Sequence, residues 1–476
     1  MVQAQLDSSS AARLESLLRW FHEYAGEAYL TGAAARDLVS SGRIPHSRRA
    51  EILVPKLDKN ALGALRERFP DLQAQQDDLR LNLSLPNTEG GSLNIKVASY
   101  RVPPAESKLA TDLELTGIVG DLSTREITLH AFAINAEGEV LDPFGGCQDL
   151  KNKQIRPLEN PRDIFRDRPE QILRIARYIA YYGYDVHPTT TRFVSRDAAN
   201  ILSVSRSSWS NEINSVLLGT HVDASLAWLL ETGVLRFLLP EVVSLVDFHK
   251  SCEVHHKDCW DHTVQVTRKA NPDLCTRWAA LCHDIGKIWT RSVDRRGGVH
   301  FYRHEEFSAI LFEGVAARFH MDPDLSFRIQ AVIRLHGRVN LYESDWTDSA
   351  VRRLIRDSGD HLEDLIRFSE ADFTSKRPDR IAEIRRQLNE LEERIVTVRS
   401  QTAEKPPLPK GLGNVLMKEF DLPPRPILGD LRRGLERLCA SEEIEAFQDQ
   451  DYYIEKVRSI GLERVIELGE KKHEAK

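Results

Sequence analysis

The feature that most constrains the fold is a change in the spacing of apolar residues near residue 160. From about residue 28 to 145, short β-like runs such as "AEILV", "LRLNLSL" and "EITLHAFAIN" alternate with one helical stretch, "KNALGALRERF". Later segments such as "RPEQILRIARYIAYYGY" and "DRIAEIRRQLNELEERIVTVRS" space apolar residues three and four apart, as amphipathic helices do. The sequence therefore predicts an α+β protein, with a small mixed-sheet head followed by all-α segments.

Bulk properties limit the classes of protein to consider. The 476 residues suffice for two to four domains, and no apolar run approaches the ~20 residues that span a bilayer. The N-terminus lacks the pattern of a signal peptide, and six scattered cysteines favour a reducing compartment. We therefore expect a cytoplasmic protein without a membrane partner. A net charge of −7 does not indicate a nucleic-acid binder, although local basic strips can still contact phosphates.

The second half of the chain carries histidines and aspartates in the order H…HD…H…H…D, over about 110 residues. Each lies in a predicted helix or at its end: His262, His283, Asp284, His304, His336 and Asp372. A lone His-Asp dipeptide is a weak signal, whereas the ordered set is a strong one. Imidazole nitrogens and carboxylate oxygens together suit Mn, Fe, Co, Ni or Zn better than Mg alone. The set therefore predicts a site for one or two divalent transition ions, with Mg as the alternative.

Two of these positions also predict chemistry. An aspartate such as Asp284 that bridges two ions leaves a nucleophilic hydroxide between them. Lys287 follows His283 by one helical turn on the same face, where it can neutralise a phosphate. Asp284 and Lys287 are therefore the predicted catalytic residues. A separate segment, "CEVHHKDC", allows a zinc clip, but its spacing is unlike that of structural zinc sites.

The front half resembles a known family. "LTGAAARDLV", "GDLSTREITLHAFAIN" and "EVLDPFGGCQDLKNKQIRPL" are similar to the class II tRNA nucleotidyltransferase (CCA-adding) and poly(A) polymerase family, over most of the chain. In that family a Gly-Gly turn cradles the triphosphate and an Asp-x-Asp pair binds two Mg²⁺. Here Gly32 keeps the turn but Ala33 replaces the second glycine, and the carboxylate positions fall on Arg49, Glu51 and Lys96. Because cations oppose metal entry, we expect nucleotidyl transfer to be lost.

The same resemblance implies a set of RNA-binding or nucleotide-binding residues, namely Gly32, Arg36, Arg125, Arg174 and Arg177. The last two arginines share a predicted helix from Pro169 to Tyr184 with several tyrosines, and this pattern suits base stacking and phosphate pairing. The alternative is that the tyrosines pack internally and the arginines make internal ion pairs.

The H…HD…H…H…D order resembles the HD superfamily of phosphohydrolases, which some CCA-adding enzymes carry behind the head. That resemblance implies that the first histidine, the His-Asp pair and the last aspartate hold one metal. The predicted domains are a degenerate head (1–155), a helical neck (156–245), an HD domain (246–400) and a helical tail (401–476). The predicted function is a metal-dependent phosphodiesterase acting on RNA 3′ ends, with RNA, and tRNA in particular, as partner. The alternatives are an active CCA-adding enzyme or poly(A) polymerase with atypical ligands, and a non-catalytic RNA-binding protein.

Overall fold

The computed structural model describes twelve stretches of the chain: 9–41, 49–77, 80–86, 92–103, 115–246, 248, 259–296, 298–373, 377–404, 407–423, 427–441 and 443–470. The chain divides into two compact units. Their bounds are Met1–Gly337 with Glu363–Thr374, and Arg338–Leu362 with Ser375–Lys476. The predicted domain boundaries at residues 155, 245 and 400 stay predictions. Among the described helices, none has the length and apolarity needed to cross a membrane.

The strands of the chain form one large sheet and two small ones. They are β1 (Tyr29–Thr31), β2 (Arg49–Val54), β3 (Gln73–Gln76), β4 (Arg80–Pro86), β5 (Ser92–Ser99), β6 (Ala133–Asn135), β7 (Val140–Leu141), β8 (Gln154–Ile155), β9 (Asp185–Val186), β10 (Arg291–Val293) and β11 (Val299–Phe301). The large sheet has the order β3-β4-β5-β2-β1-β6-β7, in which β2 and β5 pair in parallel and the other neighbours are antiparallel. The predicted mixed-sheet head is confirmed.

The helices of the first unit are α1 (Ser9–Ala25), α2 (Gly32–Ser41), α3 (Ala61–Arg68), α4 (Gly117–Ser123), α5 (Gly146–Lys151), α6 (Pro161–Asp167), α7 (Glu170–Tyr182), α8 (Pro188–Asp197), α9 (Arg206–Leu218), α10 (Val222–Glu231), α11 (Leu235–Leu238), α12 (Pro240–Val243), α13 (Cys259–Lys269), α14 (Leu274–Cys282), α15 (Lys287–Thr290), α16 (His304–Arg318), α17 (Pro323–Asn340) and α19 (Leu362–Asp372), the last two of which run into the second unit. The other helices of the second unit are α18 (Asp348–Ser358), α20 (Pro378–Glu404), α21 (Leu412–Glu419), α22 (Ile427–Ala440), α23 (Gln450–Ile460) and α24 (Leu462–Glu470). The predicted helical remainder is confirmed, apart from the two short sheets β8–β9 and β10–β11.

The large sheet has one apolar face and one polar face, because side chains alternate along each strand. On β5, Leu93, Ile95 and Val97 are buried, while Asn94 is exposed and Lys96 is half-buried. The strand register extends the polar face across the sheet, since Lys96 lies opposite both Asn82 on β4 and Glu51 on β2. This polar face positions the charged groups of the head.

Helix α7 buries one face against the neighbouring helices, and its end is fixed by a glycine. The predicted helix from Pro169 to Tyr184 is shorter in the structure, because Gly183 adopts φ +63° at its C-terminal end. A Cβ at this position would lie 2.7 Å from the His221 ring, so glycine also allows the close approach of the following segment.

The second unit has a hydrophobic core of its own. Buried side chains from α21, α22 and α23, among them Leu416, Leu435 and Tyr453, form one cluster. Helices α22 and α24 approach closely at Gly434, where an added Cβ would overlap the carbonyl group of Val465. The glycine is therefore required by backbone packing.

Candidate functional site

The first charged cluster lies on the polar face of the head sheet, around Glu51. Its carboxylate is 3.0 Å from Lys96 Nζ, 2.8 Å from Arg125 Nη1 and 3.4 Å from Arg101 Nη2. The parallel register of β2 and β5 sets the first of these contacts, because it places Lys96 directly opposite Glu51. The side chain of Glu51 is only 16 % exposed, so three cations surround one half-buried anion. The side chain of Arg49 lies outside the described residues.

A second carboxylate, Asp121 on α4, completes this cluster and was missed from the sequence. Its side chain is fully buried, and Oδ1 is 2.9 Å from Arg125 Nη2. Oδ2 accepts a hydrogen bond of 2.7 Å from the backbone amide of Arg101. The guanidinium of Arg125 therefore lies between Glu51 and Asp121. The sequence feature that could have predicted this ion pair is the spacing of Asp121 and Arg125. They lie four residues apart around the end of a helix, a spacing at which side chains can pair.

The electrostatics of this cluster keep Glu51 ionised. Burial by itself raises the pKa of Glu51, but the charge of Arg125 and the hydrogen bonds from Lys96 and Arg125 lower it to about 2. Two Mg²⁺ ions require anionic oxygens that are not already neutralised. Three cations face the two carboxylates here, so this arrangement does not fit a two-magnesium centre.

A cavity of about 900 Å³ borders the cluster at Glu51 and Lys96. Its lining includes Gly32 and Ala33 at the start of α2, Glu51 and Lys96, and Arg66 on α3. Gly32 has φ +71°, a conformation that glycine adopts without strain. The predicted binding residue Gly32 therefore borders the same cavity as Glu51, whose carboxylate also contacts Arg125.

Arg36 lies in a different, largely buried network. Its Nε donates to Asp37 Oδ1 at 2.9 Å, and its guanidinium carbon is 4.6 Å from the centre of the Tyr182 ring. The hydroxyl of Tyr182 is also 3.0 Å from His130 Nε2. Burial and the charges of Arg36, Arg125 and Arg177 lower the pKa of His130 to about 3. These contacts hold α7 against the head.

Arg174 and Arg177 make the internal ion pairs that the sequence left as an alternative. Arg174 Nη1 is 2.5 Å from Glu126 Oε1, and Arg177 Nη1 is 3.2 Å from Glu212 Oε2. Tyr178 donates a hydrogen bond to Glu126 and stacks on Tyr182, with ring centroids 6.0 Å apart. An RNA contact by these arginines stays a prediction.

The second cluster brings together all six predicted metal ligands, within the first unit. Three histidines have the same local geometry: Nδ1 lies within hydrogen-bond distance of a carbonyl oxygen three residues earlier. The pairs are His283 with Ala280 at 2.9 Å, His304 with Phe301 at 2.9 Å and His336 with Ile333 at 2.6 Å. Because each carbonyl can only accept, we assign the proton of each ring to Nδ1. Each Nε2 is then left with a lone pair, as in metal-binding histidines.

Asp284 is the centre of this arrangement. His283 Nε2 is 3.2 Å from Asp284 Oδ2, and His304 Nε2 is 3.5 Å from Oδ1. The ligand atoms of His262, His283 and Asp284 lie within 4.8 Å of one another, as do those of Asp284, His304 and His336. Two ligand triads thus share one carboxylate, which is a geometry for one or two ions. The sixth residue, Asp372, is 3.2 Å from His262 Nε2 through Oδ1.

Two observations indicate that the donors fit a divalent ion. Oδ1 of Asp284 is fully buried and has no hydrogen-bond partner among the residues that the structure describes. The Nε2 atoms of His262 and His283 lie 3.3 Å apart, a separation at which one cation could bind both nitrogens. Although burial raises the pKa of Asp284, the charges of His283 and Lys287 hold it well below its ordinary value. Lys287 Nζ is 2.7 Å from Asp284 Oδ2.

The segment "CEVHHKDC", the alternative zinc clip, lies outside the described residues except for Cys259, which is buried.

Comparisons with known proteins show which family and which fold the chain resembles. Residues 28–156 match the Poly A polymerase head domain family. The chain is 26% identical to an A-adding tRNA nucleotidyltransferase of Deinococcus radiodurans, over 71% of this chain and 78% of that one. It is 32% identical to a Multifunctional CCA protein of Acinetobacter baumannii, over 36% of this chain and 43% of the relative. The fold is similar to that of the Bacillus stearothermophilus CCA-adding enzyme in complex with CTP, with a TM-score of 0.61 and 16% identity over 95% of this chain and 99% of that one.

A mixed-sheet head followed by helices is thus a fold that CCA-adding enzymes share. Residues 28–156 form a Poly A polymerase head domain, and the chain as a whole is similar to class II tRNA nucleotidyltransferases. The predicted main function, an HD-type phosphohydrolase, is wrong, because the chain is similar to an A-adding tRNA nucleotidyltransferase and has the fold of a CCA-adding enzyme. The order of the histidines and aspartates and its resemblance to the HD superfamily led to that prediction, and such a ligand pattern does not specify a reaction.

Proposed function

We propose that the chain transfers nucleotides to the 3′ end of a tRNA, with the head cavity as the nucleotide site. The observation that carries this proposal is the cavity beside Gly32 and Glu51, in a head domain of the nucleotidyltransferase family. Lys96, Arg101 and Arg125 face two carboxylates, so the cluster has one positive charge in excess. A triphosphate carries more negative charge than a single carboxylate, and charge-assisted hydrogen bonds to it are strong.

The residues of this chain would act by exchanging partners. Lys96 and Arg125 would leave the carboxylate of Glu51 for phosphate oxygens, and Glu51 would become available to orient the RNA hydroxyl group. The turn at Gly32 would bring backbone amides near the phosphates. The family pattern has a metal-binding carboxylate at the position of Arg49. The contacts proposed here do not require a metal ligand at that position.

The test is incorporation of labelled ATP or CTP into a tRNA that lacks its last nucleotides, with Mg²⁺ or Mn²⁺ present. We expect RNA products longer than the input, and we expect Glu51→Gln to remove most of the incorporation. Glu383→Gln, at an exposed carboxylate paired with Arg386, is the matched control. Absence of incorporation by the wild-type protein over a full range of nucleotides would reject the proposal.

The cations around Glu51 also favour a second candidate, RNA binding without chemistry. Because they already neutralise the carboxylates, the same pocket suits an RNA phosphate that needs no metal. Tight tRNA binding with no incorporation would support this candidate. Loss of salt-dependent binding in Lys96→Met would then locate the contact.

We further propose that the six-residue cluster around Asp284 binds a divalent transition ion. His283, His304 and His336 would supply neutral nitrogens, and Asp284 would supply the shared carboxylate. Metal analysis of the protein after incubation with Mn²⁺, Ni²⁺ or Zn²⁺ and gel filtration tests this assignment. We expect about one or two ions per chain, and fewer in Asp284→Asn. Equal metal content in the wild type and Asp284→Asn would reject it.

A further inference from the structure

A short segment of the first unit exposes an unusual amount of apolar surface. In the described part of the chain, fourteen large apolar side chains are exposed, and five of these lie between residues 289 and 310. They are Trp289 (71 % exposed), Val293 (55 %), Tyr302 (69 %), Phe307 (43 %) and Ile310 (57 %). Scattered exposed apolar residues are ordinary, whereas a concentration of aromatic side chains in one segment indicates a binding surface. We call this segment, residues 289–310, the aromatic hairpin.

The scaffold of the aromatic hairpin is ordered by strand pairing. In the antiparallel pair β10–β11, Arg291 lies opposite Phe301. Trp289 precedes this pair and Tyr302 follows it, so both side chains emerge at the same end of the hairpin. The ring of Tyr302 also stacks on His300, with centroids 5.2 Å apart and an interplanar angle of 13°. The aromatic groups are thus presented from a fixed backbone, which lowers the entropic cost of binding.

The charge of this region differs from that of the whole chain. The aromatic hairpin contains four basic side chains (Arg291, Arg295, Arg296 and Arg303) and three acidic ones (Asp294, Glu305 and Glu306). The formal charge is therefore 4 − 3 = +1, against −7 for the chain. Two of the acidic groups have cationic or imidazole partners, since Asp294 Oδ2 is 3.0 Å from His300 Nε2 and Glu306 pairs with Arg303.

We propose that the aromatic hairpin is a stacking platform for unpaired bases of an RNA substrate. Exposed aromatic rings stack on bases without regard to sequence, and neighbouring arginines pair with the phosphates between them. A protein partner would use the same aromatic surface but would gain less from four exposed arginines. The identity of the partner as RNA rests on the proposed function, whereas the platform itself is separate from the head cavity.

The test is the affinity of the full-length protein for a fluorescent single-stranded oligoribonucleotide and for a tRNA transcript. We expect Trp289→Ala and Tyr302→Ala each to weaken binding by about 30-fold, the middle of the range for loss of one stacked base. Trp289→Phe keeps a ring and should lose less than threefold. Leu202→Ala removes a side chain that is 53 % exposed outside the hairpin, and it serves as the matched control with unchanged affinity.

A charge variant provides an independent readout. Arg295→Gln should lower the slope of log affinity against log salt by about one unit, without changing the effect of Trp289→Ala. Unchanged RNA affinity in both aromatic variants would overturn the proposal. So would aromatic variants that alter only self-association in sedimentation experiments, because the surface would then be an interface between copies of the chain. RNA binding that depends on Trp289 without nucleotide incorporation would support the platform and reject nucleotide transfer.

Discussion

Replacing Arg125 by leucine should destabilise the head strongly, because it leaves two carboxylates without their shared partner. Arg125 is 10 % exposed, and it contacts Glu51, which is 16 % exposed, and Asp121, which is fully buried. The pKa of Glu51 lies at about 2 instead of 4.5, a difference of about 2.5 units in which the charge of Arg125 is the largest favourable part. At about 1.4 kcal/mol per pKa unit, this corresponds to about 3.5 kcal/mol for all the partners of Glu51 together, of which Arg125 supplies the largest part. Loss of one partner of a buried ion pair costs a similar amount, about 3–5 kcal/mol.

Hydrogen exchange followed by mass spectrometry can measure this change within a protein of two units. We expect the amides of β2 (Arg49–Val54) to lose about 100-fold in protection in Arg125→Leu, the equivalent of about 3 kcal/mol. In the double variant with Glu51→Gln, the loss should be smaller, because one of the two unpaired charges is removed. Arg386→Leu is the control, since its pair with Glu383 is exposed. A change below threefold in Arg125→Leu would refute the reasoning.

Three further predictions follow from the same physical arguments. The difference in the free energy of unfolding between the wild type and Glu51→Gln should be constant above about pH 4.5 and shrink as the pH falls towards 2. The reason is that the pKa of Glu51 is lowered in the folded state, and urea midpoints at several pH values measure the difference. Gly434→Ala should destabilise the second unit by about 1–3 kcal/mol, because the added Cβ overlaps the Val465 carbonyl group. Gly429→Ala should not destabilise it, because its Cβ would meet only the flexible end of Arg433 at 3.4 Å. Thermal unfolding of the two variants measures the difference. Chelation should lower the melting temperature of the wild type but not of Asp284→Asn, in scans with and without EDTA.

The helical metal cluster could be predicted in large part from the sequence. The order from His262 to Asp372 places each ligand in or beside a helix, and the structure gathers all six. Their contacts could be anticipated because a His-Asp dipeptide and helical spacing fix much of the local geometry. The hydrogen bonds from Nδ1 to backbone carbonyls could not be predicted, since they depend on side-chain rotamers. The reaction itself was predicted wrongly, because ligand geometry is compatible with many functions.

The charged cluster of the head was only partly predictable. The sequence placed Glu51 and Lys96 at the family's carboxylate positions, and the parallel register of β2 and β5 brings them together. Asp121 and Arg101 come from separate segments, so their contact with the cluster depends on tertiary packing. The partners of Arg174 and Arg177 could not be predicted for the same reason. The position of an arginine along a helix does not show whether its side chain contacts RNA or an internal glutamate.

The central claim, that the head cavity receives the nucleotide, is tested most directly by photo-cross-linking with 8-azido-ATP and mapping of the labelled peptides. We predict labelling of peptides that cover β2 and β5 and its loss on competition with ATP. Labelling confined to the helices around Asp284, with none in the head, would contradict the claim.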